Sequence, residues 1–153
     1  MKIDHICFSV NNINDAIEYW ESVFEYKQMT AIIENSLQKV KVAFLSKENS
    51  ITIKLIEPSG NNNSLKSFNI RGGGFHHVCF KCDDLSQKIN ELREKGLKLL
   101  VPPQPGEAFN NNNIAFLLAK NGLSIELIDS DEKAGLISSS LTFGFDDKNN
   151  SLE

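Results

Sequence analysis

Two histidines, a glutamate and a lysine carry most of the chemistry this sequence offers. His5 lies in IDHICFSV and His77 in GGGFHHVCFKC, while Lys54 lies in ITIKLIE and Glu126 in LSIELID. Imidazole and carboxylate are good ligands for first-row divalent metals, and two histidines with one carboxylate and open positions make a catalytic metal arrangement. Lysine is the odd member. Its ammonium carries three donors, no lone pair and a positive charge, so at neutral pH it cannot ligate a cation. Each histidine read singly is best taken as a satisfied structural residue. As a spaced pair with Glu126, they read better as ligands or as a polar active-site cluster.

The spacing is what makes them a pair. Residues 4–17, DHICFSVNNINDAI, align without gaps on residues 76–89, HHVCFKCDDLSQKI: His5 falls on His77, Cys7 on Cys79, Phe8 on Phe80 and Ile17 on Ile89. The same offset of 72 residues places VAFL (42–45) on IAFL (114–117) and ITIKLIE (51–57) on LSIELID (123–129). Self-similarity at one fixed offset marks a tandem duplication. Lys54 and Glu126 are therefore equivalent positions, as are the two histidines.

Each half must supply elements that position these residues. A strand (3–10; 76–82) leads into a helix (14–24; 85–95), and three strands follow (28–34, 40–46, 51–57; 97–101, 113–118, 123–129). Asn12 or Asn14 caps the first helix, whose stripe is Ile17, Trp20, Val23 and Phe24. Asp83 or Asp84 caps the second, which carries Leu85, Ile89 and Leu92 and stops at Gly96. The fold class is α+β: two tandem βαβββ modules forming a cleft between curved mixed sheets. Residues 1–129 read as one domain of modules 1–57 and 75–129, joined by an irregular linker, 58–74, rich in Pro, Gly, Asn and Ser. Residues 130–153 read as a C-terminal extension. In it Leu141, Phe143 and Phe145 alternate as an edge strand, or one swapped onto a partner, before a disordered end. Strand alternation sets His5 on the face of Ile3 and Cys7, and His77 on the face of Phe75 and Cys79, with His76 turned away in a structural role.

The bulk composition excludes several functions. At 153 residues, 41% hydrophobic and 24% charged, the chain reads as one globular domain. Its net charge of −4 leaves no basic footprint for nucleic acid or an anionic membrane, and no apolar run approaches the ~20 residues of a membrane span. Three cysteines, an odd number, suit a reducing compartment, so the expected location is cytoplasmic. Cys79 and Cys82 form a CxxC. On a strand that spacing sends the thiols to opposite faces about 10 Å apart, too far for a disulfide, and they read as core thiols.

The segments IDHICFSV, IKLIEPSG, GGGFHHVCFKCDDL and GLSIELID, in this order, resemble the vicinal oxygen chelate superfamily, which has the fold of glyoxalase I. Within it they are similar to the methylmalonyl-CoA epimerases, and the likeness spans about residues 2–129. The resemblance implies a divalent metal (Fe, Mn, Co, Ni or Zn) held by His5, His77 and Glu126. Lys54 stands where the superfamily has a fourth ligand, a Glu or Gln. It also implies a carboxylate base near the third strand, where this chain has Leu37; Glu34 is the nearest acid and the candidate for that role, beside Glu126 and Lys54. Before the seventh strand an HG-containing segment is replaced by FNNNN.

Three functions remain open at this point. A three-ligand metal site would chelate two substrate oxygens and stabilise an enolate-like anion, in isomerase, lyase or ring-cleaving dioxygenase chemistry. Alternatively, Lys54 replaces the metal and supplies the charge itself. In the third, the cleft sequesters a ligand without turnover, as the bleomycin-resistance group does. The partner in each is a small oxygen-rich molecule (an enolisable carbonyl, thioester or carboxylate), and the resemblance adds a homodimer.

Overall fold

The structure is a computed structural model and describes residues 1–137. In chain order its elements are β1 (Lys2–Ser9), α1 (Ile13–Phe24), β2 (Lys27–Gln28), β3 (Ile33–Asn35), β4 (Val40–Ser46), β5 (Thr52–Pro58), α2 (Asn63–Ile70), β6 (Gly74–Lys81), α3 (Leu85–Glu94), β7 (Lys98–Gly106), β8 (Asn112–Leu118) and β9 (Ser124–Ile128). The strand order is β2-β4-β5-β1-β6-β9-β8-β7, with β3 also paired to β4. β1 lies parallel to β5 and β6 parallel to β9, and the two halves join through the antiparallel β1–β6 pair. The two expected sheets are thus joined edge to edge as one mixed sheet.

α1 and α3 cover one face of it, and α2 sets Leu65 against the other. The Asn12 side chain accepts hydrogen bonds from the Asn14 and Asp15 amides, and the chain leaves α1 through Glu25 in the left-handed region. Ile13 and Ile17 of α1 then pack on Ala43, Leu45, Ile53 and Leu55. Asp84 caps α3, whose Leu85, Ile89 and Leu92 pack on Ala115, Leu117, Ile125 and Leu127. The opposite face gathers Cys7, Val42, Phe44, Cys79, Phe109 and Ile114 into a separate core. Cys79 and Cys82 belong to different cores, and all three cysteines are free and buried.

The linker departs from its expected irregularity by holding α2. Its composition hides a two-turn helix because only Leu65 and Phe68 give it an apolar side, and such short helices take their stability from tertiary packing. Asn62 caps it at the Leu65 amide, and Leu65 and Asn69 are buried. Asn69 accepts a hydrogen bond from Ser9 Oγ at 2.5 Å and donates to the Val10 carbonyl at 2.8 Å, tying α2 to the end of β1. The stretch 28–34, expected as one strand, breaks into the end of β2 and the start of β3, and between them the buried Thr30 hydroxyl accepts from the Phe44 amide at 3.0 Å. β7 runs longer than expected and carries Pro102 and Pro103 past two register shifts, which an edge strand tolerates.

Beyond β9 the chain returns to the sheet. Ala134 donates to the Ala108 carbonyl, Ala31 to that of Gly135, and Ile137 to that of Met29. The alternation at Leu141, Phe143 and Phe145 lies outside the described residues. Among those residues no helix is long and apolar enough to cross a membrane.

Candidate functional site

The site is built on the β1–β6 seam. Ile6 pairs with Val78, its own equivalent at the 72-residue offset, so the pseudo-twofold passes through this pair. On either side His5 faces Cys79 and Cys7 faces His77. Lys54 of β5 lies opposite Cys7, and Glu126 of β9 opposite Cys79. The four residues singled out in the sequence meet on one buried face because the duplication places them on the four central strands.

Two bulges modify the strict alternation. The register slips between Ile3 and His5 and again between Cys7 and Phe8, leaving Asp4 on β1 and His76 on β6 as the extra residues. A bulge re-aims side chains locally. Asp4 and His76 consequently reach the histidine that follows each of them, while Ile3 is exposed and Phe75 packs edge-on against Phe8. This corrects the expectation that His76 turns away and that Ile3 and Phe75 share the histidine face.

Glu126 is the hub. Its Oε2 lies 3.0 Å from His5 Nε2 and 3.0 Å from His77 Nε2, and Lys54 Nζ donates to Oε2 at 3.1 Å and to Oε1 at 3.3 Å. Burial is nearly complete, at 0% exposure for His5 and Glu126 and 2% for Lys54 and His77. Burial pushes the Glu126 carboxyl up, but Lys54 and the two histidine hydrogen bonds outweigh it and hold the group well below the usual carboxylate range. Burial pulls Lys54 down, and the Glu126 charge reverses that, leaving it above the ordinary lysine value. For His77 burial wins over Glu126, and its pKa falls to about 3. Phe109 and Phe44 present their rings to the Lys54 ammonium, with centroids at 5.0 and 5.9 Å.

The histidines are each held from behind. Asp4 Oδ2 lies 2.6 Å from His5 Nδ1, and Lys133 Nζ reaches Asp4 at 3.2 Å from the C-terminal segment. Burial raises the Asp4 carboxyl, and His5 and Lys133 outweigh it to lower the group. At the equivalent place in the second half, His76 Nδ1 lies 2.8 Å from His77 Nδ1. His76 is held below the ordinary imidazole value by burial and then by the Lys54 charge.

A cavity of about 610 Å³ opens on one side of the cluster. Lys54, His76 and His77 line it together with Val40, Ile56, Leu65, Phe68 and Phe116, and Arg71 contributes a second cation. No aspartate or glutamate among the described residues lines it. His5 and Glu126 do not reach it either; they lie behind Lys54 and His77. Of the residues expected from the sequence, His5, His77, Lys54 and Glu126 come together. Glu34 stands apart, exposed on β3, where it accepts from Ser59 Oγ at 2.5 Å. Leu37 lines the cavity.

Asp4, His76, Lys133 and Arg71 are polar residues the sequence reading did not assign to the site. The first two had a signal, because the repeat sets the pair DH of residues 4–5 over the pair HH of residues 76–77. Lys133 lies outside the repeat and had none. One ligand atom each of His5, His77 and Glu126 lies within 4.8 Å of the others, the spacing of a metal-ligand group.

The sequence model of the family described as Glyoxalase/Bleomycin resistance protein/Dioxygenase superfamily matches residues 4–116. The uncharacterised protein YqjC of Bacillus subtilis is 31% identical over 133 residues, covering 84% of this chain and 91% of that protein. A mitochondrial methylmalonyl-CoA epimerase of Dictyostelium discoideum is 24% identical over 130 residues, covering 82% of this chain and 76% of the epimerase. Among solved structures, a methylmalonyl-CoA epimerase from Mycobacterium tuberculosis superposes with a TM-score of 0.73 at 26% identity, covering 84% of this chain and 87% of that one.

Proposed function

We propose, for a chain that belongs to the Glyoxalase/Bleomycin resistance protein/Dioxygenase superfamily, that the cleft turns over a small anionic acyl compound (an enolisable carbonyl, thioester or carboxylate), with the Lys54 ammonium as its fixed positive charge. The observation that carries this reading is the cavity lining: Lys54 and Arg71 with two histidines and, among the described residues, no acid. Such a lining favours anions and enolate-like oxygens over cations. Similarity to methylmalonyl-CoA epimerases supports an acyl substrate. The homodimer implied by the resemblance and the cytoplasmic setting expected from the sequence belong to the same proposal.

The residues present do not fit a divalent ion. The Glu126 carboxylate already meets four hydrogen bonds, three at Oε2 and one at Oε1, and two of the four come from Lys54. An added ion would sit beside an ammonium that Glu126 keeps protonated, in a buried place where two like charges repel strongly. Lys54 therefore takes the role of counter-cation. At an effective dielectric of about 20, a unit charge 4 Å from a developing oxyanion contributes about 4 kcal/mol, roughly a thousandfold in rate, less the share Glu126 neutralises.

Ligand capture without turnover is the second reading. It is favoured by Leu37 at the position where the resemblance places a carboxylate base, and by the acid-free lining. Two measurements separate the readings. Proton NMR in D2O follows deuterium entry at the α-carbon of methylmalonyl-CoA and simpler acyl thioesters, and mass spectrometry gives the metal content of wild type and Lys54→Glu after reloading with Mn, Co, Ni, Zn or Fe. Catalysed exchange with substoichiometric metal in the wild type, and metal uptake only in Lys54→Glu, are expected. Saturable binding without exchange would favour capture, and stoichiometric metal in the wild type would overturn the role of Lys54 as counter-cation.

A further inference from the structure

We propose that His76 is the proton acceptor of this cleft, with its Nε2 lone pair fixed toward the cavity by a hydrogen-bonded chain running through His77 to Glu126. The inference rests on the reading of the cleft as an enzyme and names the residue that would act there.

The chain of donors has one consistent direction. Glu126 receives two contacts from the Lys54 ammonium and so serves as an acceptor, and His77 donates to it from Nε2 across the 3.0 Å contact. A neutral imidazole carries one N–H, which leaves His77 Nδ1 as an acceptor. His76 must then donate from Nδ1 across the 2.8 Å contact, and the lone pair of its ring moves to Nε2. His76 lines the cavity beside Lys54, and no protein partner for Nε2 is found among the described residues. A base oriented by a second imidazole, itself oriented by a buried carboxylate, has the order of parts found wherever a proton acceptor is held in one tautomer.

The other end of the pseudo-twofold shows what the same position does when it is not exposed to a ligand. There the bulged residue is Asp4, which holds His5 from behind just as His76 contacts His77. Lys133 pairs with Asp4, and Phe109 stacks over His5. Neither Asp4 nor His5 lines the cavity. The duplication has thus diverged: a sealed carboxylate at one bulge and a cavity-facing imidazole at the other.

In the step itself the Cα–H bond of the acyl compound breaks and its proton moves to His76 Nε2. The electron pair passes into the carbonyl group, whose oxygen becomes an enolate facing the Lys54 ammonium. The imidazolium of His76 either returns its proton to the same carbon or exchanges it with water first, so solvent deuterium enters without any co-reactant.

Two measurements test this. In nitrogen-15 correlation spectra of histidine-labelled wild type, His76 should show a bare Nε2 and a protonated Nδ1, and His77 the reverse. A protonated Nε2 on His76 would overturn the proposal. In the deuterium-exchange assay with methylmalonyl-CoA and simple acyl thioesters, His76→Ala should lose about 10²–10⁴-fold in kcat, with KM within about threefold, and should recover with added imidazole. His76→Asn can still donate to His77 Nδ1 and so keeps the orientation; it should stay as slow as the alanine variant. Wild-type turnover in His76→Asn would leave His76 a positioning residue at most and refute its role as proton acceptor. If the wild type exchanges no proton, the enzyme reading itself fails and this inference with it, which is a different result from an active wild type whose variants keep pace.

Discussion

Removing the Lys54 ammonium while keeping its length, as in Lys54→Met, should be among the most damaging single changes in this protein. The pair it forms with Glu126 is nearly inaccessible on both sides and is made through two contacts of 3.1 and 3.3 Å. Breaking a buried pair by deleting one partner costs about 3–5 kcal/mol, because the other charge stays in a poorly solvated place. The whole fold is worth only about 5–15 kcal/mol, and at roughly 2–4 °C per kcal/mol for a chain of this size the melting temperature should drop by about 10 °C. Glu126→Gln should cost a similar amount by stranding the ammonium. The double variant, which buries a neutral thioether and amide, should be less harmed than the sum of the two, with a favourable coupling above about 2 kcal/mol. Urea unfolding of all four proteins, with matched slopes, measures that cycle. A coupling below about 0.5 kcal/mol would refute the claim that Lys54 neutralises Glu126. Chelation of the wild type is the companion control: its melting temperature should not move, and a fall on chelation would show that a metal ion supplies the counter-charge instead.

Three further outcomes are expected. His77 stays neutral in the fold down to about 3, whereas in the unfolded chain it protonates near 6.5. The unfolded state therefore binds more protons as pH falls, and on this account alone stability at pH 5 should lie about 2 kcal/mol below that at pH 7. His77→Phe should reduce the decline and leave the share of His76, also held low; a level wild-type profile over that range would contradict the buried, neutral ring. Gly73→Ala forces a side chain onto a backbone at φ +60, with the new Cβ 2.9 Å from the Ser9 carbonyl oxygen; it should destabilise by about 1–3 kcal/mol in urea titrations, and a neutral effect would mean that the α2–β6 junction relaxes freely. Burial raises the pKa of all three thiols. At pH 8 a chromogenic disulfide reagent should find no fast-reacting cysteine in the native protein and three after unfolding; rapid labelling of Cys82 alone would show that α3 lifts from the sheet.

The duplication made most of the fold legible. Once ITIKLIE and LSIELID are set over one another, the periodicity of each half need only be read once, and the caps at Asn12 and Asp84 follow from residue types whose oxygens satisfy free helix amides. α2 was not legible because its hold on the sheet is the side chain of Asn69, bonded to Ser9 and Val10 some 60 positions away in the chain. The bulges at Asp4 and His76 were missed for a related reason. Alternation is a local rule, and a bulge is a property of the pairing between two strands, visible only when the partner's register is known.

By itself the sequence determined which residues would meet. Equivalent positions on the central strands of two like modules must face one another across their pseudo-twofold, and this brought His5, His77, Lys54 and Glu126 together. Only the tertiary structure decided what their meeting amounts to. Three hydrogen bonds crowd Oε2 of Glu126, the side chain of Lys54 lies in the cavity wall, and the segment carrying Lys133 seals one end of the cluster while the other stays open. Those outcomes depend on distances and burial between residues far apart in the chain, and no spacing within a strand encodes them.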